Sequence, residues 1–217
     1  MSSMTPSNTA VIVVDMQNDF VRVGAALEVV ESRATLGAHQ RLLGAARRLG
    51  LPVVYTKFIA GPDRTLVWDV DPMIADPIRF AWKGHMRYYP DIDAERDVTD
   101  IVDEIYPATG DHIVEKFGFD AFYNTNLEDF LRANHVEHLI ITGTVTNICV
   151  DSTGRGAFHR QFRSVFVSDA VSSPDPEQHR VTLKNLGQWF GRVLATDEVV
   201  AELEAVRELV GAAESPR

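Results

Sequence analysis

Apolar residues recur along this chain in two rhythms. The first is a set of short, unbroken runs rich in β-branched residues: 9–14 (TAVIVV), 52–58 (PVVYTKF), 112–115 (HIVE, ending at Lys116), 137–142 (EHLIIT), 164–168 (SVFVS) and 192–195 (RVLA). Runs of this length without polar alternation predict strands buried on both faces, as in a parallel sheet. The second rhythm is helical. Leu36, Leu42, Leu43, Ala46 and Leu49 share one face of a helix predicted over 32–49, which Gly50 and Pro52 stop. Shorter helices are predicted over 98–105 and over 126–133, the latter capped by Asn124 or Thr125, with Glu128 placed to close a capping box on Thr125. A long helix starts at Cys149 and ends near Phe162, another covers 176–185, and Asp197 opens a final amphipathic helix through Val210. Strands alternating with helices predict the α/β class, as a three-layer α/β/α sandwich around a six-stranded parallel sheet.

Residues 61–93 break both rhythms. Pro62, Pro72, Pro77 and Pro90 interrupt a stretch containing Trp68, Arg79, Phe80, Trp82, Lys83, Arg87, Tyr88 and Tyr89. A loop of this length predicts a lid or substrate wall, or equally a segment pinned to the body or to a subunit interface. The composition, 217 residues with 45% apolar and 24% charged, fits one globular domain over 1–217 with its core at about 9–210. A net charge of −10 repels phosphate backbones and anionic membranes, so neither nucleic acid nor membrane is an expected partner. The start MSSMTPSNTA lacks the basic and apolar regions of a signal peptide, and a single cysteine allows no internal disulfide; a cytoplasmic location is expected.

Chemistry concentrates at three strand exits. Asp15 ends the first strand and is followed by Met16-Gln17-Asn18-Asp19-Phe20; Lys116 ends the third; the Gly143-Thr144 turn leads from the fourth into the helix carrying Cys149. Taken singly, each has a plain reading: a turn carboxylate, a snorkelling lysine, and a small buried hydrophobe between Ile148 and Val150. Taken together, parallel strands expose their carboxyl ends on one edge, so the three groups can converge there. A carboxylate takes a thiol's proton, an ammonium holds both, and unpaired N–H groups at a helix start favour thiolate. No Gly-x-Gly-x-x-Gly follows Val14, which counts against a dinucleotide site.

The motifs VVDMQNDF, Lys116 with FYNTNL downstream, and GTVTNICVDSTGRGAFHRQF followed by VSDA resemble the isochorismatase-like cysteine hydrolases over residues 9–195. The resemblance implies their Rossmann-like hydrolase fold and places an Asp-Lys-Cys triad on Asp15, Lys116 and Cys149. It also implies a non-proline cis peptide between Thr144 and Val145, turning the N–H of Val145 beside that of Cys149 as an oxyanion hole. The implied reaction is amide hydrolysis through a thioester on Cys149, with Asp15 moving the protons. Isochorismatases proper lack the cysteine, so Cys149 argues against vinyl-ether cleavage. Nicotinamidases add a metal held by an Asp and paired His; Asp63 has no His-x-His nearby, so no metal and no cofactor are expected, and His85 and His112 read as ordinary residues. Residues 122–153 are most similar to the ureidoacrylate and N-carbamoyl amidohydrolase branch, which implies a small ureido or N-carbamoyl substrate. A primary-amide or nicotinamide-like substrate, or a catalytically silent interaction module of the same fold, stays open. Asn18, Phe20, Trp82 and Tyr123 are candidate pocket walls, and the family implies a homodimer or homotetramer. An activated thiolate predicts fast iodoacetamide labelling of Cys149 at neutral pH, lost in Asp15→Ala.

Overall fold

The computed structural model describes residues 3–63 and 78–214. The six apolar runs become six strands: β1 (Thr9–Val14), β2 (Val53–Phe58), β5 (His112–Lys116), β6 (His138–Thr144), β7 (Arg163–Ser172) and β8 (Gly191–Leu194). They form one sheet in the order β5-β2-β1-β6-β7-β8, with every neighbouring pair parallel. A separate hairpin joins β3 (Met86–Tyr89) to β4 (Ala94–Asp97). The helices are α1 (Asn18–Val21), α2 (Leu36–Leu49), α3 (Leu127–Ala133), α4 (Asp151–His159), α5 (Pro176–Trp189) and α6 (Thr196–Glu214).

All of β1 is buried, and its side chains alternate between two cores. Val11 and Val13 pack with Leu42, Leu43 and Ala46 of α2 and Val199 and Leu203 of α6. Ala10, Ile12 and Val14 pack with Leu127 and Leu131 of α3, Ala157 of α4 and Leu186 of α5. This is the three-layer sandwich, and each fully buried aliphatic side chain contributes about 1.5–3 kcal/mol to it. The chain leaves β1 towards β2 on one side, while β6 lies on the other, so the crevice at the carboxyl ends of β1 and β6 is the sheet's switch point. Among the described residues, no helix is long and apolar enough to cross a membrane.

The helix expected over 98–105 is absent. Val98, Ile101, Val102 and Ile105 have helical spacing, but this segment runs as a turn and a single bridge alongside the residues that follow β1. Asn18 N donates to Asp100 O, Asp19 N to Val98 O, and Val102 N to Met16 O, leaving only a 3₁₀ turn at Asp103–Ile105. Pairing with a buried neighbour outweighs a weak local preference. The capping box on α3 is absent too. Thr125 Oγ1 accepts from Leu127 N at 3.3 Å, but Glu128 turns to the Arg160 guanidinium at 3.0 Å. Of the long loop, Trp68, Pro72 and Pro77 lie outside the described residues; its later part holds β3, and a bridge ties Trp82 back to Gly61.

His39 on α2 is fully buried, its Nδ1–H donating to Thr35 O at 2.9 Å, and burial pushes its pKa down to about 4. The unfolded chain takes up a proton near the usual histidine value while the folded chain refuses it. The stabilisation is therefore whole above about pH 6.5 and is lost as pH falls through about 4. Urea unfolding across this window is expected to lose about 3 kcal/mol from this residue. The His39→Gln variant should show a correspondingly flatter pH dependence; an unchanged slope would contradict this.

Candidate active site

Three strand ends and one turn build the site. Asp15 leaves β1 with φ +49, a left-handed conformation that a residue other than glycine adopts mainly where its surroundings enforce it. Lys116 is the last residue of β5. In β6, Gly143 pairs with Val14 and has φ +108; a Cβ there would collide with the Val14 carbonyl, so only glycine lets β6 approach β1 this closely. The Thr144–Val145 bond that follows is cis. Cys149 then sits in a π-turn, Thr146–Val150, that precedes α4, where a plain helix start was expected. In this turn the Val145 carbonyl accepts from Ile148 N and Val150 N at 3.0 and 3.2 Å, passing over the amide of Cys149 between them.

Asp15 and Lys116 are fully buried, with Oδ2 and Nζ 2.7 Å apart. Thr56 on β2 donates its hydroxyl to Asp15 Oδ1 at 2.6 Å and accepts from Asp15 N at 3.2 Å. Lys116 Nζ donates to Gly118 O at 2.9 Å and stands 5.1 Å from the Phe58 ring centroid. Oδ2 meets the ammonium at ion-pair distance but off hydrogen-bond angles, and no other hydrogen bond occupies it among the described residues.

The Cys149 sulfur interacts with both groups. Burial drives its thiol well above the ordinary range; the Lys116 ammonium offsets part of that rise and the Asp15 carboxylate adds to it. For Lys116, burial opposes the charge, but Asp15 and Cys149 outweigh it and hold the ammonium above its usual range. Burial therefore opposes the thiolate that a helix start favours, and Asp15 and Lys116 stand beside the sulfur with opposite effects on it.

Cys149 opens onto a cavity of about 290 Å³. Phe20 lines it, as the sequence suggested; Asn18, Trp82 and Tyr123 are not among its lining residues. Asn18 is buried behind the wall, donating to Asp97 O and accepting from Arg22 Nε. The Trp82 indole packs against Gly61 with the Arg79 guanidinium 5.8 Å from its ring, and Tyr123 is exposed. Sequence reasoning missed Thr56, whose role depends on its register opposite Val14, and Phe58; Phe80, from the loop offered as a substrate wall, and Phe119, from the aromatic turn after Lys116, join Phe20 in the wall. It also missed two anchors. Gln17 holds both the N–H and the carbonyl of Phe58 at 2.7 and 3.0 Å. Buried Asp19 accepts from Ala81 N, Arg87 Nε and Tyr89 Oη at 2.9–3.1 Å. Their signal was the polar run directly after a buried strand. Among the described residues, no three His, Cys, Asp or Glu side chains gather as a metal-binding group.

A doubly wound parallel sheet with a cysteine, a carboxylate and an ammonium at its switch point defines an isochorismatase-like α/β hydrolase. Residues 9–198 match the Isochorismatase domain model, and the chain belongs to that family. It is 32% identical over 210 residues to the ureidoacrylate amidohydrolase RutB of Rhizobium rhizogenes, covering 92% of this chain and 85% of the relative. The same enzyme of Agrobacterium fabrum is 32% identical over 207 residues, 90% of each chain. Among solved structures, a cysteine hydrolase from Pseudomonas syringae pv. phaseolicola 1448A superposes with TM-score 0.82 at 30% identity over 93% of this chain and 95% of its own. N-carbamoylsarcosine amidase from Thermoplasma acidophilum gives TM-score 0.71 at 30% identity over 88% and 97%.

Neutralising Asp15 removes the main support for the charge on the buried Lys116 and the carboxylate beside the sulfur. Iodoacetamide at neutral pH is expected to alkylate Cys149 more slowly in Asp15→Asn than in the wild type. Faster labelling in the variant would contradict this arrangement of charges.

Proposed function

We propose that this chain is a cysteine-dependent amidohydrolase that cleaves a C–N bond of a small ureido or N-carbamoyl compound. It acts on carbon–nitrogen bonds other than peptide bonds. The observation that carries the reading is the meeting of Asp15, Lys116 and Cys149 at one side of a cavity large enough for a small amide. The ureido and N-carbamoyl preference is supported by its relatives, ureidoacrylate amidohydrolase and N-carbamoylsarcosine amidase.

Each step follows from the placement of the groups. As the Cys149 sulfur attacks the carbonyl carbon, its proton passes to Asp15 Oδ2. The N–H groups of Val145 and Cys149 take the developing oxyanion. Lys116 keeps its charge throughout, stabilising whichever neighbour is negative. Collapse of the adduct breaks the C–N bond, and Asp15 returns its proton to the departing nitrogen. The S-acyl product is a thioester, or a thiocarbamate when the carbonyl belongs to a urea. Water then attacks it, giving its proton to Asp15, and the S–C bond breaks to restore the thiol. A carbamic acid released in this way decomposes to amine and carbon dioxide.

The test is ammonia release across ureas, N-carbamoyl compounds, primary amides and nicotinamide. Carbamoyl-bearing compounds are expected to turn over fastest, and Cys149→Ala and Asp15→Asn to lower kcat by about 10³-fold or more. Turnover that survives Cys149→Ala, or silence across the whole panel, would overturn the proposal.

A further inference from the structure

We infer that His179, on α5, is a positioning residue: through Thr146 it holds the turn that presents the N–H groups of Val145 and Cys149 to the substrate. This deepens the reading above and rests on it, since those two N–H groups take the developing oxyanion there. The chain changes direction between them. Val145 is extended, at φ −94 and ψ 138, and from Thr146 the backbone winds as a π-turn into α4. A hydrogen bond of 2.9 Å joins the Thr146 hydroxyl to His179 Nδ1. Thr146 is fully buried, and its hydroxyl has no other hydrogen bond among the described residues. Burial lowers the pKa of His179 below the usual histidine value, so at neutral pH the ring is neutral and contributes geometry rather than charge.

The first turn of α5 is a firm base for this contact. Pro176 opens the helix, and Asp175 Oδ1 caps it by accepting from Glu177 N and Gln178 N at 2.8 and 3.0 Å. His179 N donates to Asp175 O at 2.9 Å, and Leu186 anchors the middle of the helix in the core. A second tether runs alongside. Ser173 Oγ donates to Asn147 Oδ1 at 2.7 Å, and Asn147 Nδ2 to Gln178 Oε1 at 2.6 Å. Gln178 is exposed, so water can replace its bond, whereas the buried Thr146 hydroxyl has no such substitute. His179 is therefore the tether on which the turn depends. The two N–H groups must meet an oxygen in the place it occupies only in the transition state, so a small rotation of the turn weakens both bonds at once. Such a loss lowers kcat and leaves substrate binding nearly unchanged.

His179→Leu removes the bond from one side and Thr146→Val from the other, while His179→Asn returns a polar atom near the place of Nδ1. Two readings are taken on the folded proteins. Hydrogen exchange is followed at the Ile148 and Val150 amides, which close the turn on the Val145 carbonyl; kcat and KM are measured for the carbamoyl compound that the wild type turns over fastest. His179→Leu and Thr146→Val are each expected to speed exchange at both amides about tenfold, with the amides of β6 unaffected, and to lower kcat about tenfold or more with KM within about twofold. The double variant should fall no further than either single one, and His179→Asn should recover most of the loss. Unchanged exchange in both single variants, faster exchange with kcat intact, additive losses in the double variant, or no recovery in His179→Asn would overturn the inference. Faster exchange in the variants of a wild type that releases no ammonia would uphold the hold on the turn and count against hydrolysis.

Discussion

The ion pair between Asp15 and Lys116 is the constraint on which the site depends. Both side chains are fully buried, so either charge alone would carry a large desolvation cost. The Thr56 hydroxyl, the Gly118 carbonyl and the Phe58 ring face offset what the pair itself does not. Removing one partner of such a pair typically costs about 3–5 kcal/mol, because the other is left uncompensated. The partners also come from different strands: Asp15 follows β1, Thr56 lies on β2 and Lys116 ends β5. A one-residue slip of β5 would send Lys116 to the opposite face, so the register of the sheet and the assembly of the site are one requirement.

The cavity wall is held by buried polar anchors. Gln17 acts as a short substitute strand, taking both backbone groups of Phe58 and also donating to Thr99 O, which fixes the turn beyond β4. Asp19 gathers Ala81 N, Arg87 and Tyr89, and so clamps the hairpin region against the exit of β1. Phe20 and Phe80, each next in sequence to a clamped residue, are thereby set edge to face in the wall. The apolar cavity wall is therefore backed by a carboxylate and an amide whose hydrogen bonds are satisfied.

The sheet was legible in sequence because every central strand is buried on both faces, and such strands read as unbroken β-branched runs. Asp15, Lys116 and Cys149 were legible because each stands at a strand exit or just beyond a strand-exit turn, and topology alone brings parallel exits to one edge. Segment 98–105 misled because its apolar spacing fits a helix, while its backbone pairs with residues some eighty positions earlier. Asn18 and Tyr123 misled for a related reason: proximity to a motif does not fix the direction of a side chain leaving an irregular turn. Thr56 needed the register of β2 against β1, which no periodicity reveals. The protonation state of Cys149 depends on burial, and a residue's place at a helix start carries no information about that.

Burial and the Asp15 carboxylate disfavour the Cys149 thiolate, and the Lys116 ammonium favours it. In the proposed reaction the carboxylate is the base beside the sulfur, and the ammonium steadies each anion formed in turn. The ultraviolet absorbance of the thiolate, taken as wild type minus Cys149→Ala across a pH titration, tests this most directly. The account predicts no thiolate signal at neutral pH and its appearance only in the alkaline range, whereas a full thiolate signal at neutral pH would contradict it.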